Sequence, residues 1–349
     1  VSAKTAAAGP ETAGGVPLVP AGVSSTAAGR EPSGLAHRAK VLSYFLLWFA
    51  LNVVYNISNK SVLIRLFLPW TVLTVQLLVG ALYVALLWLL RLRPVPSLGP
   101  KARSLAIRVA LAHGLGQVAT VMIFEGAAVP FAHVVQAGVP ILTALFSALL
   151  CRQIFPAPVY LSLVPVVGGV ALACAKELSF TWLCFAAAMA SNVFFALRAI
   201  FSKAAMLASK DEGEQISAQN LYGVVTIGAL LVLAPLALGM EGSKAAGAWA
   251  AAVKKDWGAG TLAWNVVKSG FWHYINNEVM YLALSNVHPV TLAVGNTFKR
   301  IFIIASSVLF FNNPVNLLTM MGSSVAIMGV FLYSLVRHAY SAPAGTKAA

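Results

Sequence analysis

Charged residues along this chain come in bursts, and between them lie long stretches that carry none: 41–59, 66–90, 126–151, 153–175, 178–197, 215–240, 279–298 and 301–336. About 20 mostly apolar residues in helical form cross the hydrocarbon of a bilayer, where a helix satisfies its own backbone polar groups. The pattern therefore predicts spanning helices over roughly 41–62, 70–90, 105–125, 128–151, 158–175, 180–203, 217–240, 264–286, 290–311 and 315–336. The last charge-free run is too long for one helix, and Asn312-Asn313-Pro314 breaks it in two. The third and eighth spans carry Arg108, Lys268 and Glu278 within or beside otherwise continuous apolar sequence. They are counted on that continuity and on the short connections beside them.

The predicted fold is all-α and integral to the membrane, with ten transmembrane helices in two inverted five-helix repeats. The repeats cover 39–176 and 177–338, with a disordered N-terminal tail at 1–38 and a short C-terminal tail at 339–349. The repeat is read from two pairs of spans. Pro130, an apolar run, Pro156 and Gly169-Val170-Ala171-Leu172 in the fourth and fifth are answered by Pro289, an apolar run, Pro314 and Gly329-Val330-Phe331-Leu332 in the ninth and tenth, 158 to 160 residues later. Five is odd, so the second copy enters the membrane in the opposite sense. That arrangement lets one fold open to either side by exchanging the conformations of its halves.

Composition narrows the class. The chain is 59% hydrophobic and only 10% charged, with mean hydropathy +0.82, whereas an ordinary soluble domain is about a quarter charged. A soluble enzyme, a zinc module and a nucleic-acid binder are excluded; the medium this chain meets is the lipid bilayer. The net charge of +14 sits largely at span ends, at Arg38, Lys40, Arg91, Arg93, Lys101, Arg103, Arg152 and Arg337, and makes the side of both termini the positive one. The long connection 241–263, with Lys244, Lys254 and Lys255, lies opposite. Cys151, Cys174 and Cys184 lack ligand spacing and read as buried apolar thiols. The absence of a Walker loop, a dinucleotide fingerprint, a catalytic triad and a metal motif argues against an enzyme, an ATP-driven pump and any cofactor. The sequence opens on Val1, so either a targeting segment has been removed or the chain has been trimmed.

A few polar groups fall at membrane depth. Lys299 and Arg300 stand adjacent in the middle of the ninth span, where each cation costs about 2.5–3.5 kcal/mol or more if it faces lipid. Two neighbouring cations need a counter-charge or water, and Glu278 is the acid within reach. It neutralises one cation at most, which leaves either an ion pair in a wet cavity or an anionic substrate. Arg offers phosphate a bidentate fork and Lys a mobile point charge. Asn276 lies as far before the turn at 287–289 as Lys299 lies after it, and Gln117 and Gln136 flank Gly126 at matched depth, with Thr120 one turn from Gln117. Each amide serves either a helix–helix hydrogen bond or a ligand. Arg198 and Lys203 either line a positive vestibule or anchor the sixth span, while His113 and His133 read as interhelical hydrogen-bonding or packing groups.

These residues carry a resemblance. Pro289-Val-Thr-Leu-Ala-Val-Gly-Asn-Thr-Phe-Lys-Arg-Ile and Ala326-Ile-Met-Gly-Val-Phe-Leu-Tyr-Ser resemble the plastidic phosphate translocators of the drug/metabolite transporter superfamily. So do Asn59-Lys60, Pro158-Val-Tyr-Leu-Ser-Leu-Val-Pro-Val-Val-Gly-Gly, Glu177-Leu-Ser-Phe, and Ala190-Ser-Asn with Arg198 and Ile200-Phe-Ser-Lys. The resemblance covers about 41–336, and 158–169 is most similar to the glucose-6-phosphate type. It implies ten spans, the plastid inner envelope, a removed transit peptide, and strict exchange of inorganic phosphate for a phosphorylated sugar. It also implies that Lys299 and Arg300 clamp phosphate and that Thr120 lines the pocket. Three pocket positions depart from the family: Gln117 stands for His, Gln136 for Lys and Asn276 for Tyr. One positive charge is thereby missing, which favours a larger or less highly charged ester over triose phosphate. The expected activity is alternating-access antiport of an organic phosphate against phosphate. A nucleotide-sugar/nucleoside monophosphate antiporter is the runner-up, and a transporter-derived structural subunit of a membrane complex is a third reading.

Overall fold

The computed structural model describes residues 34–126, 135–136, 138–151, 155–174, 181–255, 258–296, 298–299, 302 and 317–341. The described residues are helical nearly throughout, in α1 (Leu35–Leu66), α2 (Pro69–Leu89), α3 (Pro100–Gly126), α4 (Val139–Cys151), α5 (Ala157–Leu161), α6 (Val164–Cys174), α7 (Trp182–Asp211), α8 (Ala218–Lys255), α9 (Ala259–Asn286) and α10 (Leu317–Ser341). A further helical stretch runs over 289–296. Prolines open α2 and α3, where the missing N–H would have had no partner anyway. The Thr181 hydroxyl caps α7 by accepting from Cys184 N at 3.1 Å.

Among the described residues, five helices, α1, α2, α3, α7 and α8, are long and apolar enough to cross a membrane. α1 turns most of its apolar surface outward, as lipid contact requires. α9 is equally long but carries Lys268, His273, Asn276, Asn277 and Glu278. It packs among α1, α2 and α8, so its polar face meets protein instead of lipid.

Several boundaries differ from those expected. Leu35–Arg38, assigned to the tail, already belong to α1, and α10 runs on to Ser341. The span expected over 158–175 is two helices, broken at Ser162 and Leu163. Pro165 has no N–H to give to Leu161, so a continuous helix fails there. The connection at 241–263 is not a loop, because α8 continues through it to Lys255. At 1.5 Å per residue α8 is about 57 Å long, well beyond a hydrocarbon core of about 30 Å. Glu241 marks the passage. Its carboxylate accepts from Trp70 N at 3.2 Å and Thr71 N at 2.7 Å, which satisfies donors at the start of α2. Cys151 and Cys184 are free and buried, as expected.

The packing is reciprocal. α3 lies along α7 as α1 lies along α9; α2 meets α9 as α3 meets α8; and α2 pairs with α8, and α6 with α10. The side-chain contacts recur in the same pairs. A Cβ at Gly169 would meet Ala326 N at 2.4 Å, and one at Gly329 would meet Val166 N at 2.7 Å; both 166 and 169 are 160 positions before their counterparts. Gly228 is closed against Ala110 as Gly270 is against Val79, and again 110 and 270 are 160 apart.

Candidate functional site

The polar groups of α1 and α9 meet in antiparallel register. α1 carries Asn52, Tyr55, Asn56 and Asn59 at three- and four-residue spacing, which puts them on one face. Asn52 Nδ2 donates to Asn276 Oδ1 at 3.1 Å, and Asn56 Nδ2 donates back to Asn52 Oδ1 at 2.9 Å. One turn further, the Tyr55 ring lies 5.2 Å from that of His273, and its hydroxyl donates to Gln76 Oε1 at 3.3 Å. Gln76 Nε2 then donates to Asn59 Oδ1 at 2.8 Å and to Ser269 Oγ at 3.1 Å. This is a neutral belt of hydroxyl, amide and imidazole groups, and Asn52, Gln76, Ser269, His273 and Asn276 are all buried in it. Of its members only Asn276 was expected to serve the site.

The third helix reaches the same belt. Gln117 Nε2 donates to His273 Nε2 at 3.3 Å, so Gln117 of α3 reaches α9 one turn from Asn276. Thr120, one turn beyond Gln117, donates to Gly116 O at 2.8 Å. Gln136 turns to another helix: it is buried and donates to Ser191 Oγ of α7 at 3.1 Å. Gln117 and Gln136, matched in depth along the sequence, thus engage different helices.

Lys299, helical together with Phe298 and half-buried, has its ammonium 4.7 Å from the centroid of the Trp48 ring. Arg300 and His133 lie outside the described residues. Trp48 carries no polar spacing signal in the sequence. What marks it is its place one turn before Asn52 on the polar face of α1.

The other expected groups have specific partners. Glu278 accepts from Arg93, beyond the end of α2. Partial burial acts against the Arg93 charge, but the Glu278 carboxylate outweighs it and raises the Arg93 pKa above its ordinary value. Glu278 was expected near Lys299 from its place in the chain, but the α-helical period turns it away toward α2. Arg198 donates to His113 Nδ1 at 2.9 Å and lies 4.9 Å from the Phe195 ring centroid. Lys203 donates to the carbonyls of Leu284 and Ser285 at 3.1 and 2.8 Å, which caps the C-terminus of α9 with positive charge. Both cations therefore tie α7 to a neighbouring helix, Arg198 to α3 and Lys203 to α9.

These contacts also repeat. His113 and His273 are 160 positions apart. His113 meets Arg198 of α7 and His273 meets Tyr55 of α1. One turn on, Gly116 is closed by Phe195 of α7, where Asn276, again 160 later, meets Asn52 of α1. A neutral hydrogen-bonding belt beside an intramembrane cation suits a small solute with an anionic head and hydroxyl groups behind it.

Known proteins align with most of this sequence. The model of the Triose-phosphate Transporter family matches residues 39–334. Glucose-6-phosphate/phosphate translocator 2, chloroplastic, from Arabidopsis thaliana is 37% identical over 300 residues, covering 86% of this chain and 76% of its own. The chloroplastic xylulose 5-phosphate/phosphate translocator of the same plant is 37% identical over 83% of this chain and 68% of its own. The chloroplastic triose phosphate/phosphate translocator of Spinacia oleracea is 34% identical over 91% and 78%. A crystal structure sharing 15% identity superposes with a TM-score of 0.59 over 88% of this chain and 99% of its own, a likeness of fold. With nearly every described residue covered by the family match, the chain belongs to the Triose-phosphate Transporter family.

Proposed function

We propose that this protein is an antiporter of the plastid envelope that exchanges a phosphorylated sugar or related organic phosphate for inorganic phosphate. Its relatives are named for glucose-6-phosphate/phosphate, xylulose 5-phosphate/phosphate and triose phosphate/phosphate exchange in chloroplasts. In this reading Lys299 and Arg300 hold the phosphoryl group, and Thr120, Gln117, Gln136 and Asn276 line the remainder of the pocket. The observation that supports it most is the place of the Lys299 ammonium, 4.7 Å from the ring of Trp48, which lies one turn along α1 from Asn52 of the neutral belt. An anionic substrate suits cations at this depth, where charge facing lipid is expensive.

The neutral belt of Gln117, His273, Asn276, Asn52 and Gln76 supports a polyhydroxylated body behind the phosphate. Amides and imidazoles exchange hydrogen bonds with hydroxyls without demanding a second charge. A sugar phosphate fits this set better than a compact substrate with a carboxylate beside its phosphate.

Ten spans in two inverted repeats, 39–176 and 177–338, are the architecture we infer. The reciprocal pairs support it: α3 with α7 against α9 with α1, Gly169 against Gly329, and His113 against His273. Alternating access then follows from the two halves exchanging conformations around the central site.

Reconstitution tests the reading. Vesicles loaded with phosphate should take up labelled hexose phosphate rapidly and empty vesicles should not; a panel of trans substrates ranks the esters. Equal uptake into empty and loaded vesicles would exclude obligate exchange. Strong exchange with a nucleoside monophosphate but little with phosphate would exclude this substrate class.

A further inference from the structure

The Lys299 ammonium is met by an aromatic face. It lies 4.7 Å from the Trp48 ring centroid. Trp48 is only 1% exposed and is held by Phe45 and Phe49, whose centroids are 6.0 and 5.7 Å from its own. A ring wedged in this way keeps its plane. The segment that bears the cation is fixed against the same helix by two further contacts. The Phe45 ring fills the space that Gly295 leaves, where any Cβ would come within 2.1 Å of it. Phe49 and Phe302 lie with centroids 5.6 Å apart.

The position has a counterpart in the other half. The offset that relates Asn52 to Phe195 also relates Trp48 to Ser191, and the offset of 160 relates Gln136 to Asn296. Ser191 accepts from Gln136. In each half, then, this position on the first helix faces the polar side of the helix that lines the site.

Resting on the anion site proposed above, we infer that Trp48 is a positioning residue for phosphate: its ring face holds the Lys299 ammonium where the phosphoryl oxygens arrive. The chemistry explains why an indole serves here. A lysine on a flexible four-carbon stem loses much rotamer freedom when a ligand fixes it, and a preformed contact removes part of that loss before binding. A carboxylate in the same place would cancel the charge and compete with phosphate. The indole attracts the cation through its quadrupole and carries no charge of its own. It occupies one side of the ammonium and brings no anionic acceptor that would compete with phosphoryl oxygens.

The test is phosphate self-exchange in proteoliposomes, with tryptophan replaced by mono-, di- and trifluorotryptophan. Fluorine withdraws density from the ring and leaves its shape nearly unchanged. KM for inorganic phosphate should climb stepwise to about fivefold, with Vmax held within about twofold. In a Trp48→Phe background, which contains no indole at this site, the series should be flat. Trp48→Phe itself should raise KM less than Trp48→Met, since both fill the space but only Phe keeps an aromatic face. A KM indifferent to fluorine, or one that climbs equally in the Trp48→Phe background, overturns the inference. Lys299→Gln separates this from the reading beneath it. If that variant keeps wild-type phosphate KM, the anion site falls and the role of Trp48 with it. If it abolishes exchange while the fluorine series stays flat, only the role of Trp48 falls.

Discussion

Gly169 and Gly329 stand at the same helix crossing, each leaving the space that the other's helix fills. A Cβ on Gly169 would lie 2.4 Å from Ala326 N and 2.6 Å from Gly322 O, and one on Gly329 would lie 2.7 Å from Val166 N and 3.0 Å from Pro165 C. These neighbours are backbone atoms, so no rotamer change relieves the clash. Small residues at a crossing let helices in lipid approach closely, which is where their association energy arises.

Gly169→Val should therefore force α6 and α10 apart and cost about 3 kcal/mol, the upper part of the range for overpacking. The neighbouring Gly168 has nothing within 4 Å of an added Cβ, so Gly168→Ala serves as the control. Melting temperatures in detergent should fall for the first variant and stay level for the second. Equal melting of the two would show that the crossing tolerates a side chain.

Glu241 gives a second stability test away from the site. Its two oxygens accept from Trp70 N and Thr71 N. Glu241→Ala leaves two donors at the start of α2 without that partner and should cost about 1–2 kcal/mol. Glu241→Gln keeps one acceptor and loses the charge, so it should cost about half as much. Thermal unfolding ranks the pair, and phosphate KM should stay near wild type in both, since Glu241 sits at the start of α2 and outside the proposed site.

In the proposed site Arg300 offers the fork that a phosphoryl group accepts. Arg300→Ala should abolish phosphate exchange, and Arg300→Lys should restore it only in part, because a point charge does not reproduce two parallel hydrogen bonds. Initial rates in phosphate-loaded vesicles measure both. Full activity in Arg300→Lys would reduce the role of Arg300 to charge alone.

Gln136→Lys tests the first-half wall. If Gln136 faces the same cavity as Lys299, the added cation should tighten binding of inorganic phosphate and triose phosphates and steepen the loss of affinity with ionic strength. Gln117→His should change affinity less, because a neutral imidazole replaces one hydrogen-bonding group with another. Titration of phosphate into the purified variants at fixed pH decides. Unchanged affinity and salt dependence in Gln136→Lys would place Gln136 outside the cavity, turned wholly to Ser191.

The class of the protein was legible in the sequence because lipid imposes a one-dimensional rule. A spanning helix must be long and nearly charge-free, so the intervals between charges show where α1, α2, α7 and α8 lie, and apolar continuity past Arg108 shows α3. The exceptions were legible by the same rule. Lys299 and Arg300 stand out because a cation in an apolar run is expensive wherever its side chain points. Pro289, Pro314, Gly169 and Gly329 hinted at a repeat because breaks and close crossings need particular residue types.

Which residues share a site was decided by the tertiary structure. Depth along a helix can be counted from the sequence, but azimuth relative to a neighbour depends on how the helices pack. Gln117 and Gln136 were matched in depth, yet one meets His273 on α9 and the other Ser191 on α7. Glu278 was near Lys299 in the chain, but its face of α9 turns to Arg93. His113 and His273 are the same offset apart as the glycines, and nothing in the sequence singles them out as counterparts. Only the pairing of α3 with α7 and of α9 with α1 does so. Trp48 and Lys299 are separated by most of the chain, and no periodicity links residues on segments that meet only once the chain is packed.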